Sequence, residues 1–203
     1  MKYLPLTLLC LGSMAVVRPA MAEMFVRPSV MYVSFQNSGY SNKTGLSLAA
    51  GTTLGAGAEH ELGLEIVLMD WALSQDLNAG GPFVFPTTGS GHLVPYLANY
   101  RYRFGAKDAQ LRYYLGPSLG LANYRGDLTQ IRSGVIANAT VSQWSAVYGG
   151  TVGVTVKLTD MLELDVGYRY LHVASIDPGS GSNRIPMDAT QVNLLHVGLG
   201  FRF

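Results

Sequence analysis

The sequence predicts an all-β fold, a closed eight-stranded antiparallel up-and-down transmembrane β-barrel. Three observations predict it. Eight stretches alternate apolar and polar residues with period two, and no long helical period lies between them. The connections between stretches are alternately short and long. In the clearest stretches one face is continuously apolar and aromatic, while the other carries glycine and charge.

The opening MKYLPLTLLCLGSMAVVRPAMAE sets Lys2 before an apolar run from Leu4 to Val17, then small residues at Ala20 and Ala22. That is the three-part layout of a secretory signal peptide cleaved after Ala22, so 1–22 is assigned to the leader and 23–203 to the barrel domain. The run is too short to span a hydrocarbon core of about 30 Å, and Arg18 interrupts it. Leu9 stands where lipid attachment at Cys10 would want a small residue. Loss of the leader removes the one cysteine, and with it disulfide and thiol chemistry. It also removes Lys2 and Arg18, lowering the formal net charge of +1 by two. Nothing in that balance calls for nucleic acid as a partner.

The strand-like stretches run over roughly 25–35, 45–54, 60–71, 93–104, 110–122, 143–158, 162–173 and 191–203. In HELGLEIVLMDW, Leu62, Leu64, Ile66 and Leu68 share a face opposite Glu61, Gly63 and Glu65. In PYLANYRYRF, Tyr96, Ala98, Tyr100, Tyr102 and Phe104 oppose Asn99, Arg101 and Arg103. In LELDVGYRY, Leu162, Leu164, Val166, Tyr168 and Tyr170 oppose Glu163, Asp165, Gly167 and Arg169. The last stretch, HVGLGFRF, alternates to its final residue. Short connections fall at Gly55–Glu59, Gly105–Ala109 and Thr159–Met161; long ones at Gln36–Thr44, Ala72–Gly91, Asn123–Val141 and Ala174–Ala189.

Lipid explains this pattern. Every backbone N–H and C=O in a bilayer must be paired within the chain, so a membrane sheet must close on itself. Short turns at one end and long loops at the other are the layout of an outer-membrane barrel. An eight-stranded barrel has a narrow interior filled by side chains. Glu61, Glu65, Glu163 and Asp165 are therefore expected inside, offset by Arg101, Arg103, Arg112, Lys157, Arg169 and Arg202. Aromatics are expected in two interfacial belts, with Tyr102, Phe104, Tyr113, Phe201 and Phe203 at the short-turn end. Tyr32, Trp71, Tyr124, Trp144 and Tyr170 form the other belt. Pro28, Pro95 and Pro117 oppose the pattern, because a closed barrel has no edge to hide a missing donor. Pro117 in particular calls for a bulge or a local break.

With these features the chain resembles small Gram-negative outer-membrane β-barrels of the OmpA membrane domain, OmpX and Opa-like type. The most specific local match is the ending HVGLGFRF: such barrels end on a strand whose last residue is Phe, read by the outer-membrane insertion machinery. The resemblance implies that Gly198, Phe201 and Phe203 carry that insertion signal. It also implies export to the outer membrane, contact with its lipids and lipopolysaccharide, and escort by periplasmic chaperones, with no cofactor.

Catalytic chemistry finds little support in the residues. Barrel lipid A deacylases carry a His-x-Ser pair near the outer rim; here His172 and Ser175 are three apart, which puts them on opposite faces of a strand. His60, His92 and His196 lie on separate stretches without metal-ligand spacing. No catalytic residue and no metal site are therefore expected. Function is expected in the long loops, where Phe83 and Phe85 offer a possible contact for a host or other surface ligand. The reading is a non-enzymatic barrel in envelope integrity, surface interaction or adhesion. The alternatives are a lipid A-modifying enzyme, a narrow small-solute pore, and a soluble barrel with an apolar ligand cavity.

Overall fold

The computed structural model describes residues 22–36, 39–78, 84–132, 135–177, 185 and 187–203. The strands are β1 (Glu23–Phe35), β2 (Lys43–Leu54), β3 (His60–Asn78) and β4 (Val84–Phe104). They continue as β5 (Leu111–Arg132), β6 (Val135–Lys157), β7 (Leu162–Val173) and β8 (Thr190–Arg202). Each pairs antiparallel with its neighbour in sequence, and β1 pairs with β8, which closes the barrel. The seam ends on reciprocal backbone bonds, Met24 N–H to the Phe203 carbonyl at 3.2 Å and Phe203 N–H to the Met24 carbonyl at 3.0 Å.

Side chains alternate as the pleat requires. On β3, Leu62, Leu64, Ile66 and Leu68 point outward and are exposed, while Glu61 and Glu65 are buried inside. On β7, Val166 and Tyr168 point out, and Glu163, Asp165 and Arg169 point in. An apolar wall around a charged interior is the reverse of a soluble ligand-binding barrel.

Four strands are longer than the sequence pattern indicates. The expected loop Ala72–Gly91 is mostly hairpin, since β3 and β4 stay paired from Trp71↔Gly91 to Asn78↔Val84. The expected loop Asn123–Val141 is likewise strand, with β5 and β6 paired as far as Arg132↔Val135. β4 and β5 remain joined up to Thr87↔Gln130, so β3 to β6 rise together as one sheet. Beyond lipid a strand no longer needs an apolar face, and the alternation that marks strands fades. Cross-strand polar bonds replace it: Thr129 Oγ1 donates to Asn138 Oδ1 at 3.0 Å, and Thr140 Oγ1 to Asp127 Oδ1 at 3.1 Å.

The prolines interrupt pairing without shifting it. Pairing of β1 with β8 lapses beside Pro28, between Val26↔Phe201 and Ser29↔Gly198. Pairing of β3 with β4 lapses beside Pro95, between Ile66↔Tyr96 and Met69↔Leu93. At Pro117, β4 and β5 part between Asn99↔Ser118 and Tyr102↔Leu115, while Pro117 stays opposite Gly150 on β6. Register resumes unchanged in all three cases, so Pro117 makes a local break and no bulge. Gly116 permits this, because a Cβ there would collide with the Tyr100 carbonyl oxygen.

The interior divides by height. The short-turn half is polar. The long-hairpin half holds an apolar core that includes Met31, Val67, Met69, Leu93, Leu128, Val147 and Leu171. Trp71 and Tyr124, expected in the outer aromatic belt, belong to this core and are 1% and 3% exposed. The indole of Trp71 lies against Gly89 and Gly126, whose missing side chains leave it room. Tyr32 and Trp144 do face outward, as do Phe104, Tyr113, Phe201 and Phe203 at the other end.

Candidate functional site

Alternate residues of neighbouring strands converge in the polar half of the lumen. Arg27 of β1 grips Glu61 of β3 with both terminal nitrogens at 3.0 Å and reaches Glu163 of β7 at 3.3 Å. Arg101 of β4 donates to Asp165 Oδ2 at 3.0 Å. Arg103, two residues on and on the same face, donates to Glu163 at 2.8 Å and to the Thr155 hydroxyl at 2.7 Å. Arg202 of β8 donates from Nε to Glu163 at 3.0 Å and from Nη1 to Glu23 at 3.3 Å. Nearer the apolar half, Arg169 Nη2 and Asn99 Nδ2 both donate to Glu65 Oε2, at 2.7 and 2.8 Å.

Of the residues the sequence nominates for this network, Glu61, Glu65, Glu163, Asp165, Arg101, Arg103, Arg169 and Arg202 come together. Lys157 does not: it sits at the β6–β7 turn and pairs with Asp160 at 2.8 Å. The hydrogen bond from Lys157 holds the exposed Asp160 carboxyl below its ordinary pKa. Position explains the correction: Lys157 is the last residue of β6, and although it stands opposite Glu163 its part-exposed side chain turns to Asp160 in the following turn. Arg112 is buried but makes no ion pair among the described residues; its Nη2 donates to the Arg103 carbonyl at 3.4 Å.

Sequence reasoning passed over Arg27, Tyr114 and the structural place of His196. Arg27 shares the inward face of β1 with Phe25, Ser29 and Met31, and that largely apolar company masks it. Its parity within the strand is the signal that finds it. Tyr114 donates to Asp165 Oδ1 at 3.1 Å, and His196 Nε2 lies 2.8 Å from the same oxygen. Gly153 and Gly167 make the space, because a Cβ at either would strike the Tyr114 hydroxyl. The guanidinium of Arg101 covers the Tyr114 ring at 4.4 Å.

The Tyr114–Asp165–His196 contact could relay a proton, but Asp165 is fully buried beneath Arg101 and Arg27. His172 faces outward against the Tyr148 ring, and Ser175 lies past the end of β7 in an exposed position. No hydrogen bond joins them among the described residues. His60 bonds the Tyr100 hydroxyl at 2.8 Å and His92 bonds Asp70 at 2.7 Å, both on the exposed face. Among the described residues no cluster of His, Cys, Asp or Glu is arranged around a metal position.

Gly198 faces the lumen against the Ser29 side chain, while Phe201 and Phe203 point outward beside the seam. Phe83 lies outside the described residues. Phe85 is a strand residue of β4, half-buried and opposite Leu77, so it is part of the rising sheet.

The family described as "Outer membrane protein beta-barrel domain" matches residues 6–203. No curated relative matches the sequence. Among solved structures, the chain resembles a major outer membrane protein from Thermus thermophilus. They share 16% identity and a TM-score of 0.57, over 90% of this chain and 100% of that one. It also resembles Neisserial surface protein A, with 16% identity and a TM-score of 0.53 over 90% of this chain and 97% of that one. At these identities the likeness is one of fold.

Proposed function

The chain belongs to the outer membrane protein β-barrel domain family, and on that premise we propose that it is a non-enzymatic envelope barrel acting through its outer surface. One observation carries the reading. The lumen is filled at both levels, by ion pairs near the short turns and by packed apolar side chains near the long hairpins. A barrel filled in this way favours a role on its outer surface over a wide path for solutes. That surface includes the sheet of β3 to β6, which carries Ile131 and Ile136 exposed near its tip. Paired strands present such a surface already ordered, so a partner need not bear that entropy cost.

The barrel would reach its site through the insertion signal of Gly198, Phe201 and Phe203, with periplasmic chaperones and the insertion machinery as partners in assembly. Lipopolysaccharide would surround its outer half. A surface role is tested with Ile131→Ser/Ile136→Ser in expressing cells, scoring adhesion to host-cell layers and to apolar surfaces. Reduced attachment at unchanged outer-membrane level is expected. Unchanged attachment for both this double variant and a deletion of residues 129–138 would remove the surface reading.

A further inference from the structure

At the short-turn end the lumen widens into a cavity of about 200 Å³, lined among others by Arg103, Lys107, Arg112, Lys157 and Arg202. Most of its charges are already matched. Glu163 is held by Arg103 and Arg202, Glu23 by Lys107 at 2.5 Å and by Arg202, and Asp160 by Lys157. Asp108 also lines the wall, but it stands exposed on the β4–β5 turn.

Arg112 is different. It is 4% exposed, forms no ion pair among the described residues, and its buried Nε has no hydrogen-bond partner. Beside it, Nε and Nη1 of Arg103 also lack hydrogen bonds. Two adjacent guanidinium groups thus line the cavity with buried N–H groups that lack a hydrogen-bond partner, although Arg103 Nη1 also lies 3.8 Å from Glu61. A guanidinium fork of this kind matches the planar or tetrahedral oxygens of an oxyanion. The volume lies below the roughly 300–1,000 Å³ of pockets for drug-sized ligands, which restricts the occupant to a compact group.

We propose that this periplasmic mouth binds a compact oxyanion, a phosphate or a carboxylate, on the Arg112 guanidinium. Arg103 supplies the second cation, and Lys107 and Lys157 at the rim raise the local anion concentration. Cleavage after Ala22 would add the Glu23 ammonium to the same rim.

The test uses the refolded chain in detergent micelles, with the Nε–H resonances of nitrogen-15-labelled arginine followed by NMR. Sodium phosphate, sodium acetate and sodium chloride are titrated separately at constant ionic strength. A saturable shift of the Arg112 resonance with phosphate or acetate, absent with chloride, is expected. Whichever anion saturates at lower concentration identifies the source, a free phosphate or a carboxylate terminus. Arg112→Lys, followed through the neighbouring Arg103 Nε–H resonance, should keep the barrel folded and weaken binding about tenfold, the loss of one charge-assisted hydrogen bond. Arg125→Gln, at the other end of β5, should leave binding unchanged. Shifts that stay linear, follow chloride equally, or persist undiminished in Arg112→Lys would overturn the proposal.

Discussion

Arg27 shows what single residues do in this lumen. It touches Glu61, Glu163 and Asp165 at once, and all of these groups are out of water. Burying an ion pair gains little net stability, because desolvation offsets most of the attraction. Removing one partner is another matter, since the other is left bare. Arg27→Ala is therefore expected to destabilise the barrel by about 3–5 kcal/mol, measured by urea titration of Trp fluorescence in micelles. A loss under about 1 kcal/mol would mean that Arg101 and Arg103 take over Glu61. Lys157→Ala should leave the midpoint where it is, because that side chain belongs to a solvated turn. Both residues are cations near the short-turn end on inward-facing positions; what separates them is that Arg27 reaches Glu61 and Glu163 inside the lumen, whereas Lys157 ends β6 and turns to Asp160. Parity was already legible in the sequence. Trp71 follows the same rule, since it shares a face with Glu61, Glu65 and Val67 and so points inward. A belt assignment based on height alone overlooks this.

At the scale of elements, β8 carries the barrel's closure. Its last residues form the seam with β1, and the reciprocal bonds between Met24 and Phe203 end that ladder. Deleting Phe203 removes both bonds and the outermost apolar anchor of the strand. The expected result is a lower outer-membrane level and a weaker heat-modifiable band on unboiled gels. A truncated chain that reaches wild-type levels would show that neither the seam nor the terminal aromatic is needed for assembly. Strands inside the bilayer were legible in the sequence to within a few residues, because lipid forces strict alternation there. The upper parts of β3 to β6 were not. Outside lipid, Thr, Ser, Asn and Gln pair across strands as well as apolar residues do, and a paired polar strand reads like a loop.

For the whole molecule, closure depends on two stacked layers of different chemistry. An ion-pair layer fills the lumen near the short turns, and a packed apolar layer lies above it. The wild-type barrel in a planar bilayer is accordingly expected to give no stepwise conductance, and Arg101→Ala is expected to behave alike. Regular steps in the variant alone would show that the apolar layer leaks and that the charged layer is the only seal. Steps in the wild type would return the pore reading. The two layers also lock the barrel's register. Sliding β7 by one residue would turn Glu163, Asp165 and Arg169 toward lipid, where each buried charge carries a penalty; for Arg at the midplane it is about 2–4 kcal/mol.

Although two of its four expected long loops proved to be paired strand, sequence alone determined the strand count, the lipid-facing rows and most members of the charged network. Each of these follows from local period two acting under one external constraint, a bilayer that forbids unpaired backbone and misplaced charge. The tertiary structure decided which charges meet. Arg27 pairs with Glu61, from which it is 34 residues distant, and with Glu163, from which it is 136 residues distant. It also decided that Lys157 and Arg112 stand apart, and that the outer half of the lumen is apolar. Those outcomes depend on the height at which each strand enters the barrel. Height is set by pairing between strands, and no single stretch of sequence contains it.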